Sequence, residues 1–183
     1  MEKNNINIHN KLIKKCKKGD SKAQFEIYEL YYKAMYNTSL RIVKNTDAAE
    51  DIMQESFLSA FNKIDTYKEN VSFGAWLKKI VINKSLDHIK KEKNFETISI
   101  DEFDNDIKDD DFKIDYEEQK KQIENIVSGI STLPDSYRVI LSLYLLEGYD
   151  HEEIGEILNI TSSTSRSQLT RGKRKLLETL KQA

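Results

Sequence analysis

Long stretches of this chain contain no residue that breaks a helix. Its one proline is Pro134, and its six glycines are scattered over 183 residues. Between them, apolar side chains recur at spacings of three and four, which is typical of amphipathic helices. The clearest example runs through Phe25, Tyr28, Tyr32, Met35, Tyr36, Leu40 and Val43. A β fold with many turns would need more turn residues, so the sequence predicts an all-α fold.

Capping residues divide this pattern into separate helices. Gly19 ends a short first helix, a long helix runs from Phe73 to about Lys93, and Pro134 suits the first turn of a later helix. Three pairs have the spacing of a capping box, namely Ser21 with Gln24, Asp47 with Glu50, and Asp150 with Glu153.

Charge divides the chain into three regions. Residues 1–93 contain 18 Lys and Arg against 12 Asp and Glu, whereas residues 94–125 contain 4 against 12. Residues 126–183 are balanced, but the stretch from Arg166 onward has 6 basic residues against 1 acidic residue. The acidic stretch has little periodicity, which is typical of a flexible linker. We therefore predict two small helical domains, 1–93 and 126–183, joined by a flexible acidic linker, 94–125.

Several classes of protein are excluded by what the sequence lacks. A single cysteine, Cys16, allows neither an intramolecular disulfide nor a cysteine-based zinc site. His9, His88 and His151 lie far apart without ligand spacing, and the glycines form no phosphate-binding loop. The N-terminus lacks the apolar core of a signal peptide, and no run of about 18 apolar residues occurs. We expect a cytoplasmic protein that is not an enzyme, with no cofactor, no metal and no membrane insertion, and with Cys16 as an incidental surface residue.

The C-terminal region contains the strongest functional pattern. A very short helix, a turn at Asn159 and a long basic helix capped by Thr161 follow the order of a helix-turn-helix. The long helix begins with short hydrogen-bonding side chains and one arginine, a composition suited to reading base edges. These residues are Ser162, Ser163, Thr164, Ser165, Arg166, Ser167 and Gln168. Arg171, Lys173 and Arg174 follow, where they can meet phosphates. An ordinary helical hairpin with a solvated polar face is the alternative.

A second basic surface is predicted on the helix that contains Trp76. Side chains 83, 87, 90 and 91 share one face of that helix, with Lys79 nearby, and a polar loop from Tyr67 to Ser72 precedes it. Such a surface can bind single-stranded DNA with an unstacked base, although plain solvation is the alternative. On the preceding helix, Asp51, Gln54 and Glu55 form an acidic patch better suited to a protein partner, and here too solvation remains an alternative.

Two parts of the chain resemble the sigma-70 family. AEDIMQESFLSAF (49–61) and FGAWLKKIVINKSLDHIKK (73–91) resemble its region two, with a spacing closest to the extracytoplasmic-function (ECF) branch. The segment 133–180, which begins LPDSYRVILSLYLL and ends RGKRKLLETL, resembles region four. The resemblance covers about residues 22–93 and 126–180 in the order of the family.

The resemblance implies a function and a set of site residues. Such proteins bind core RNA polymerase, direct it to promoter DNA and help open the duplex, and an anti-sigma factor is a further possible partner. By position, the residues that dock on the polymerase are Asp51, Gln54, Glu55 and Phe57. Those for the minus-ten element are Tyr67, Lys68, Asn70, Lys79, Asn83, Asp87, Lys90 and Lys91. Those for the minus-thirty-five element are Ser162, Ser163, Thr164, Arg166, Ser167, Gln168, Arg171, Lys173 and Arg174. The acidic linker corresponds to the segment that threads through the polymerase cleft.

Five positions depart from the family pattern, and two of them are Lys90 and Lys91, which occupy positions that are often arginine. Gly155 and Gly172 stand where alanine is usual or frequent, and Ser165 stands where a branched apolar residue usually packs. We therefore assign the minus-thirty-five contacts to the recognition helix as a region and not residue by residue to individual bases. Two alternatives to a sigma factor stay open, namely a helix-turn-helix regulator that is not a polymerase subunit, and an adaptor or anti-sigma-like protein.

Overall fold

The computed structural model describes residues 9–92 and 116–182, and within these residues the chain forms helices and no strand. The α-helices are α1 (Asn10–Lys17), α2 (Ser21–Val43), α3 (Thr46–Asn62), α4 (Phe73–Glu92), α5 (Tyr116–Thr132), α6 (Asp135–Leu141), α7 (His151–Leu158) and α8 (Ser162–Gln182). A 3₁₀ turn (Ile64–Thr66) follows α3, and a π-helical turn (Ser142–Leu146) continues α6. The predicted all-α fold is confirmed.

The chain divides into two compact units, Met1–Phe95 and Glu96–Ala183. In the first unit α2 packs against α1, α3 and α4. Its core is formed by side chains that are almost completely buried, among them Ile13, Ile27, Met35, Leu77 and Val81. Burial of this apolar surface is the main term that stabilises so small a bundle.

Helix α8 is the centre of the second unit, where it packs against α5, α6 and α7. At its crossing with α6, a Cβ atom on Gly172 would lie 3.2 Å from Leu141 Cδ1. The glycine that departs from the family pattern therefore stands where the two helices approach closely. Leu169 and Leu176, which lie on the same side of α8, are buried.

Local capping decides where the helices begin. Asp150 and Glu153 form the predicted capping box, with the Asp150 carboxylate accepting from the Glu153 N–H and Glu153 accepting from the Asp150 N–H. The two other predicted boxes are wrong. Asp20 caps α2, and Asn45 caps α3, because each of these residues has the extended backbone that lets its side chain reach the helix N–H groups.

The predicted flexible linker extended to residue 125, whereas α5 begins at Tyr116. The segment YEEQKKQIEN consists largely of good helix formers with opposite charges three and four residues apart. This helix is not evident from the sequence because the segment has too few apolar residues to show a helical periodicity. The aspartates between residues 101 and 115, on which the linker prediction rests, lie outside the residues that the structure describes.

Candidate nucleic-acid interface

The helix-turn-helix is built around a tight turn between α7 and α8. Asn159 adopts the left-handed conformation with φ of 57°, and the Ile160 N–H donates to the Gly155 carbonyl at 3.0 Å. A Cβ atom on Gly155 would lie 2.8 Å from the Ile160 carbonyl oxygen. Position 155 therefore has no room for a side chain in this turn. Thr161 then caps α8 by accepting from the Thr164 N–H at 3.1 Å.

One face of α8 is exposed and carries the side chains expected of a recognition helix. Its exposed residues follow a spacing of three, one, three and four, namely Ser163, Arg166, Ser167, Thr170 and Arg174. The predicted residues Ser162, Thr164, Arg171 and Lys173 are half-buried at its edges. Arginine and short hydroxyl side chains on one helix face can donate to and accept from base edges and phosphates.

Two residues of α8 correct the predicted set. Gln168 is 4% exposed and lies on the buried side of the helix with Ser165 and Leu169, so its side chain cannot present itself to DNA. Thr170, which was not predicted, is exposed four residues after Arg166 and three after Ser167. The helical spacing from those two residues was the signal that could have identified it.

The predicted face of α4 in the first unit is also present. Lys79, Asn83, Asp87, Lys90 and Lys91 are all exposed. Three of these five side chains are cationic, so the face can meet a phosphate backbone. Asn83 and Asp87 add amide and carboxylate groups that can hydrogen-bond to bases.

Tyr67, predicted to contact DNA, is buried instead and organises the loop before α4. It is 2% exposed, its hydroxyl donates to the Val71 carbonyl at 2.7 Å, and its ring packs on Phe73 and Trp76. Lys17 donates to the Tyr67 carbonyl at 3.1 Å, which ties the loop to α1. Lys68 and Asn70 remain exposed in this loop, so these two side chains are free to meet DNA.

The structure exposes the polar residues of the predicted patch on α3 but buries its apolar one, Phe57. Asp51, Gln54 and Glu55 are exposed, and Glu55 pairs with Lys84 at 3.2 Å. Phe57 is 2% exposed and packs on aromatic rings in the core, so it cannot contact a partner directly. Leu58 is 65% exposed and lies on the same face as the three polar residues, at i+7 from Asp51.

No part of the described chain brings together three side chains that could hold a metal ion. Cys16, expected at the surface, is 2% exposed in the core of the first unit. Burial raises the pKa of its thiol to about 11, which opposes the reactivity that neighbouring lysines would favour. None of the described helices is both long and apolar enough to cross a membrane.

Comparison with known proteins places both units in one family. The model for sigma-70 region 2 matches residues 27–95, and the model for sigma-70 region 4 matches residues 123–176. The chain belongs to the sigma-70 family. It is 32% identical to the ECF RNA polymerase sigma factor SigW of Bacillus subtilis, over 93% of this chain and 96% of that protein. It is 31% identical to SigM of the same organism, over 82% and 91%.

Solved structures agree with this fold. The CnrH structure, determined with the cytosolic domain of CnrY, is 17% identical, with a TM-score of 0.57 over 93% of this chain and 95% of that one. The sigma factor RpoE of Bartonella quintana, solved with the anti-sigma factor NepR, is 19% identical, with a TM-score of 0.58 over 85% and 95%.

The chain is therefore a transcription initiation factor of the ECF group. The regulator alternative is not favoured, because the first unit as well as the helix-turn-helix matches a sigma-70 region.

Proposed function

We propose a division of labour between the two units of this sigma factor. The domain of residues 1–93 docks on core RNA polymerase and captures the melted minus-ten element. The domain that begins with α5 at Tyr116 reads the minus-thirty-five element, and the segment 94–115 connects the two domains. The observation that carries this proposal is that each unit matches its own sigma-70 region and has an exposed face of the required chemistry.

The polymerase docks on the exposed face of α3. Asp51, Gln54 and Glu55 supply the polar contacts, and Leu58 supplies the apolar contact that Phe57 was expected to make. An exposed leucine among polar groups is typical of a protein interface, where a buried apolar centre is surrounded by a polar rim. Phe57 stabilises this face from inside the core.

The minus-ten element binds to the face of α4 and the loop before it. The cationic residues Lys68, Lys79, Lys90 and Lys91 neutralise phosphates, while Asn70, Asn83 and Asp87 hydrogen-bond to the bases of the melted strand. Tyr67 holds the loop in place rather than stacking on a base. Lysine lacks the planar guanidinium group of arginine, so these contacts depend on charge more than on bidentate hydrogen bonding.

The minus-thirty-five element binds to the exposed face of α8. Its contacts come from Ser162, Ser163, Thr164, Arg166, Ser167, Thr170, Arg171, Lys173 and Arg174. Arg166 is the side chain best suited to a bidentate contact with guanine, since it is exposed in the first turns of the helix. Gln168 is left out because it is buried.

The factor acts in the cytoplasm as a subunit of the polymerase and catalyses no reaction itself. An anti-sigma factor is a further partner of this chain, by analogy with RpoE of Bartonella quintana, which was solved with one.

Transcription in vitro tests the proposal. Core RNA polymerase from the source organism is combined with the full chain and a supercoiled genomic library, and transcript starts are mapped. New starts that share two spaced elements are expected only when both proteins are present. Tight DNA binding by the chain without any new start would favour the regulator, and neither starts nor DNA binding would favour the adaptor.

Leu58→Asp tests the docking face, with Val71→Asp as a matched control because Val71 is also an exposed apolar residue, 43% exposed. Leu58→Asp should reduce co-purification with core polymerase more than tenfold, and Val71→Asp should leave it within threefold. Equal retention by both variants would show that α3 is not the docking face.

A further inference from the structure

His151 joins three elements of the second unit. It is the first residue of α7, and its Nδ1 lies 2.9 Å from Ser165 Oγ on α8. Its ring stacks on Tyr144, with 4.9 Å between ring centroids and 24° between planes. Tyr144 belongs to the π-helical turn that continues α6, and such turns are frequent at functional sites. The imidazole therefore touches both the recognition helix and the segment that supports it.

Ser165 lies on the buried side of α8, directly before the exposed Arg166. It is 0% exposed, and a hydroxyl buried at that depth needs a hydrogen-bonding partner. The Nδ1 atom of His151 fills this role in either direction, by accepting the hydroxyl proton or by donating to the oxygen. The polar pair thus occupies a position that would otherwise be filled by apolar packing.

The contact is sensitive to the rotation of α8 about its own axis. A rotation of about 20° would move a side chain that lies roughly 5 to 6 Å from the axis by about 2 Å, which is enough to break a hydrogen bond. The same rotation would displace Arg166, which lies about 100° around the helix from Ser165. The His151–Ser165 contact therefore constrains the direction in which the exposed face of α8 points.

The two cationic side chains that face His151 favour the neutral imidazole, whereas the Asp150 carboxylate favours the charged form. Arg166 and Lys173 approach it from α8, Asp150 lies beside it at the cap of α7, and the Tyr144 ring covers one of its faces. Partial burial, followed by the Arg166 charge, lowers the pKa of His151. A neutral ring keeps both an acceptor and a donor nitrogen, so it can serve Ser165 without adding charge to the recognition helix.

We propose that His151 is a positioning residue for promoter recognition, which fixes the rotation of α8 through Ser165 and so aims Arg166 and its neighbours at the minus-thirty-five element. This inference rests on the proposed function of α8. It predicts that the geometry of the amide or imidazole at position 151 matters, and that a side chain which merely fills space is not sufficient.

Matched variants of His151 test the proposal in the holoenzyme. His151→Asn places an amide near the position of Nδ1, His151→Gln places it near Nε2, and His151→Ala removes both. The exposed Glu156→Ala on the same helix is the control. Transcription is measured on a genomic promoter selected by the wild-type holoenzyme, and on a fork-junction template that begins downstream of the minus-thirty-five element.

On the full promoter, we expect His151→Ala and His151→Gln to lose at least tenfold in apparent promoter affinity. His151→Asn and Glu156→Ala should stay within about threefold of wild type. On the fork-junction template, all variants should match wild type. Thermal unfolding shows whether each variant is folded at the assay temperature. If His151→Ala is unfolded there, the comparison of His151→Asn with His151→Gln tests the proposal instead.

Three results would overturn the inference: full promoter affinity in His151→Ala, equal losses in the Asn and Gln variants, or an equal loss on the fork-junction template. If the wild-type chain supports no start at any promoter, the proposed function itself fails, and this inference fails with it. Transcription by the wild-type holoenzyme therefore distinguishes failure of the proposed function from failure of this inference alone.

Discussion

At the scale of single residues, a buried ion pair supports the start of α6. The side chain of Arg138 is 3% exposed and donates to the Asp135 carboxylate, which is 18% exposed. Arg138 also donates to the Leu133 carbonyl at 3.4 Å. A buried guanidinium is costly to leave without its carboxylate partner, so this pair fixes the connection between α5 and α6.

We predict that Asp135→Asn lowers the free energy of unfolding of the second unit by about 3 kcal/mol, because the Arg138 charge stays buried. Glu178→Gln is the control. It removes a pair with Lys175 in which both side chains are more than half exposed, and it should cost less than about 1 kcal/mol. Denaturant unfolding followed by circular dichroism measures both, and equal effects would contradict the prediction.

His151 gives the second unit a dependence on pH with a definite sign. The lowered pKa of His151 means that the unfolded chain takes up a proton at a higher pH than the folded chain. Its contribution to stability is therefore complete above the unfolded pKa of about 6.5 and declines as the pH falls below it. Between pH 8 and pH 5, the free energy of unfolding measured by denaturation should fall more steeply for wild type than for His151→Asn. Parallel curves would exclude this contribution.

At the scale of elements, the turn of the helix-turn-helix depends on a position without a side chain. Gly155→Ala would introduce a Cβ atom 2.8 Å from the Ile160 carbonyl oxygen, and that atom belongs to the backbone. We predict a loss of about 1 to 3 kcal/mol in the free energy of unfolding, as for overpacking elsewhere. Glu156→Ala, one residue further along α7, is the control and should change stability by less than about 0.5 kcal/mol. An unchanged melting temperature in Gly155→Ala would show that the turn relaxes freely.

The exposed face of α8 predicts how promoter binding depends on salt. Each phosphate contact adds about 0.9 to the slope of the logarithm of affinity against the logarithm of salt concentration. In the holoenzyme, Arg171→Ala should weaken promoter binding and lower this slope by about 1, whereas Arg166→Ala, which removes a base contact, should weaken binding with a smaller change in slope. Lys22→Ala, at the exposed start of α2, should change neither. Unchanged affinity and slope in both arginine variants would contradict the assignment of α8.

At the scale of the whole molecule, we expect the two units to act as separate binders on one chain. Each offers a single small surface to DNA, so neither is expected to bind tightly by itself. Simultaneous engagement on the polymerase should raise the apparent affinity for promoter DNA by roughly 100-fold or more over the free chain. Filter binding with and without core polymerase at one salt concentration measures this ratio. Equal affinity in both conditions would favour a regulator that binds DNA alone.

Residue type and spacing predicted most of the helices and both basic faces, because helical periodicity is local. They also identified Asp51, Gln54 and Glu55 as surface residues. They failed where neighbours along the chain differ in burial, since Phe57 is buried whereas Leu58 is exposed. Adjacent residues point about 100° apart on a helix, so a shift of one position exchanges core for surface.

The sequence by itself determined the all-α fold, the capping box at Asp150, the order of the two sigma-70 regions and the chemistry of their exposed faces. The fold, the capping box and the surface chemistry follow from periodicity, local hydrogen bonding and charge, and the order of the regions follows from the resemblance to the sigma-70 family, so none of them needs knowledge of distant contacts. Only the tertiary structure decided that Tyr67 and Gln168 are buried, and that His151 meets Ser165 across the turn. Those outcomes depend on which helix packs on which, and residues separated by 14 positions in sequence are brought within 3 Å only by that packing.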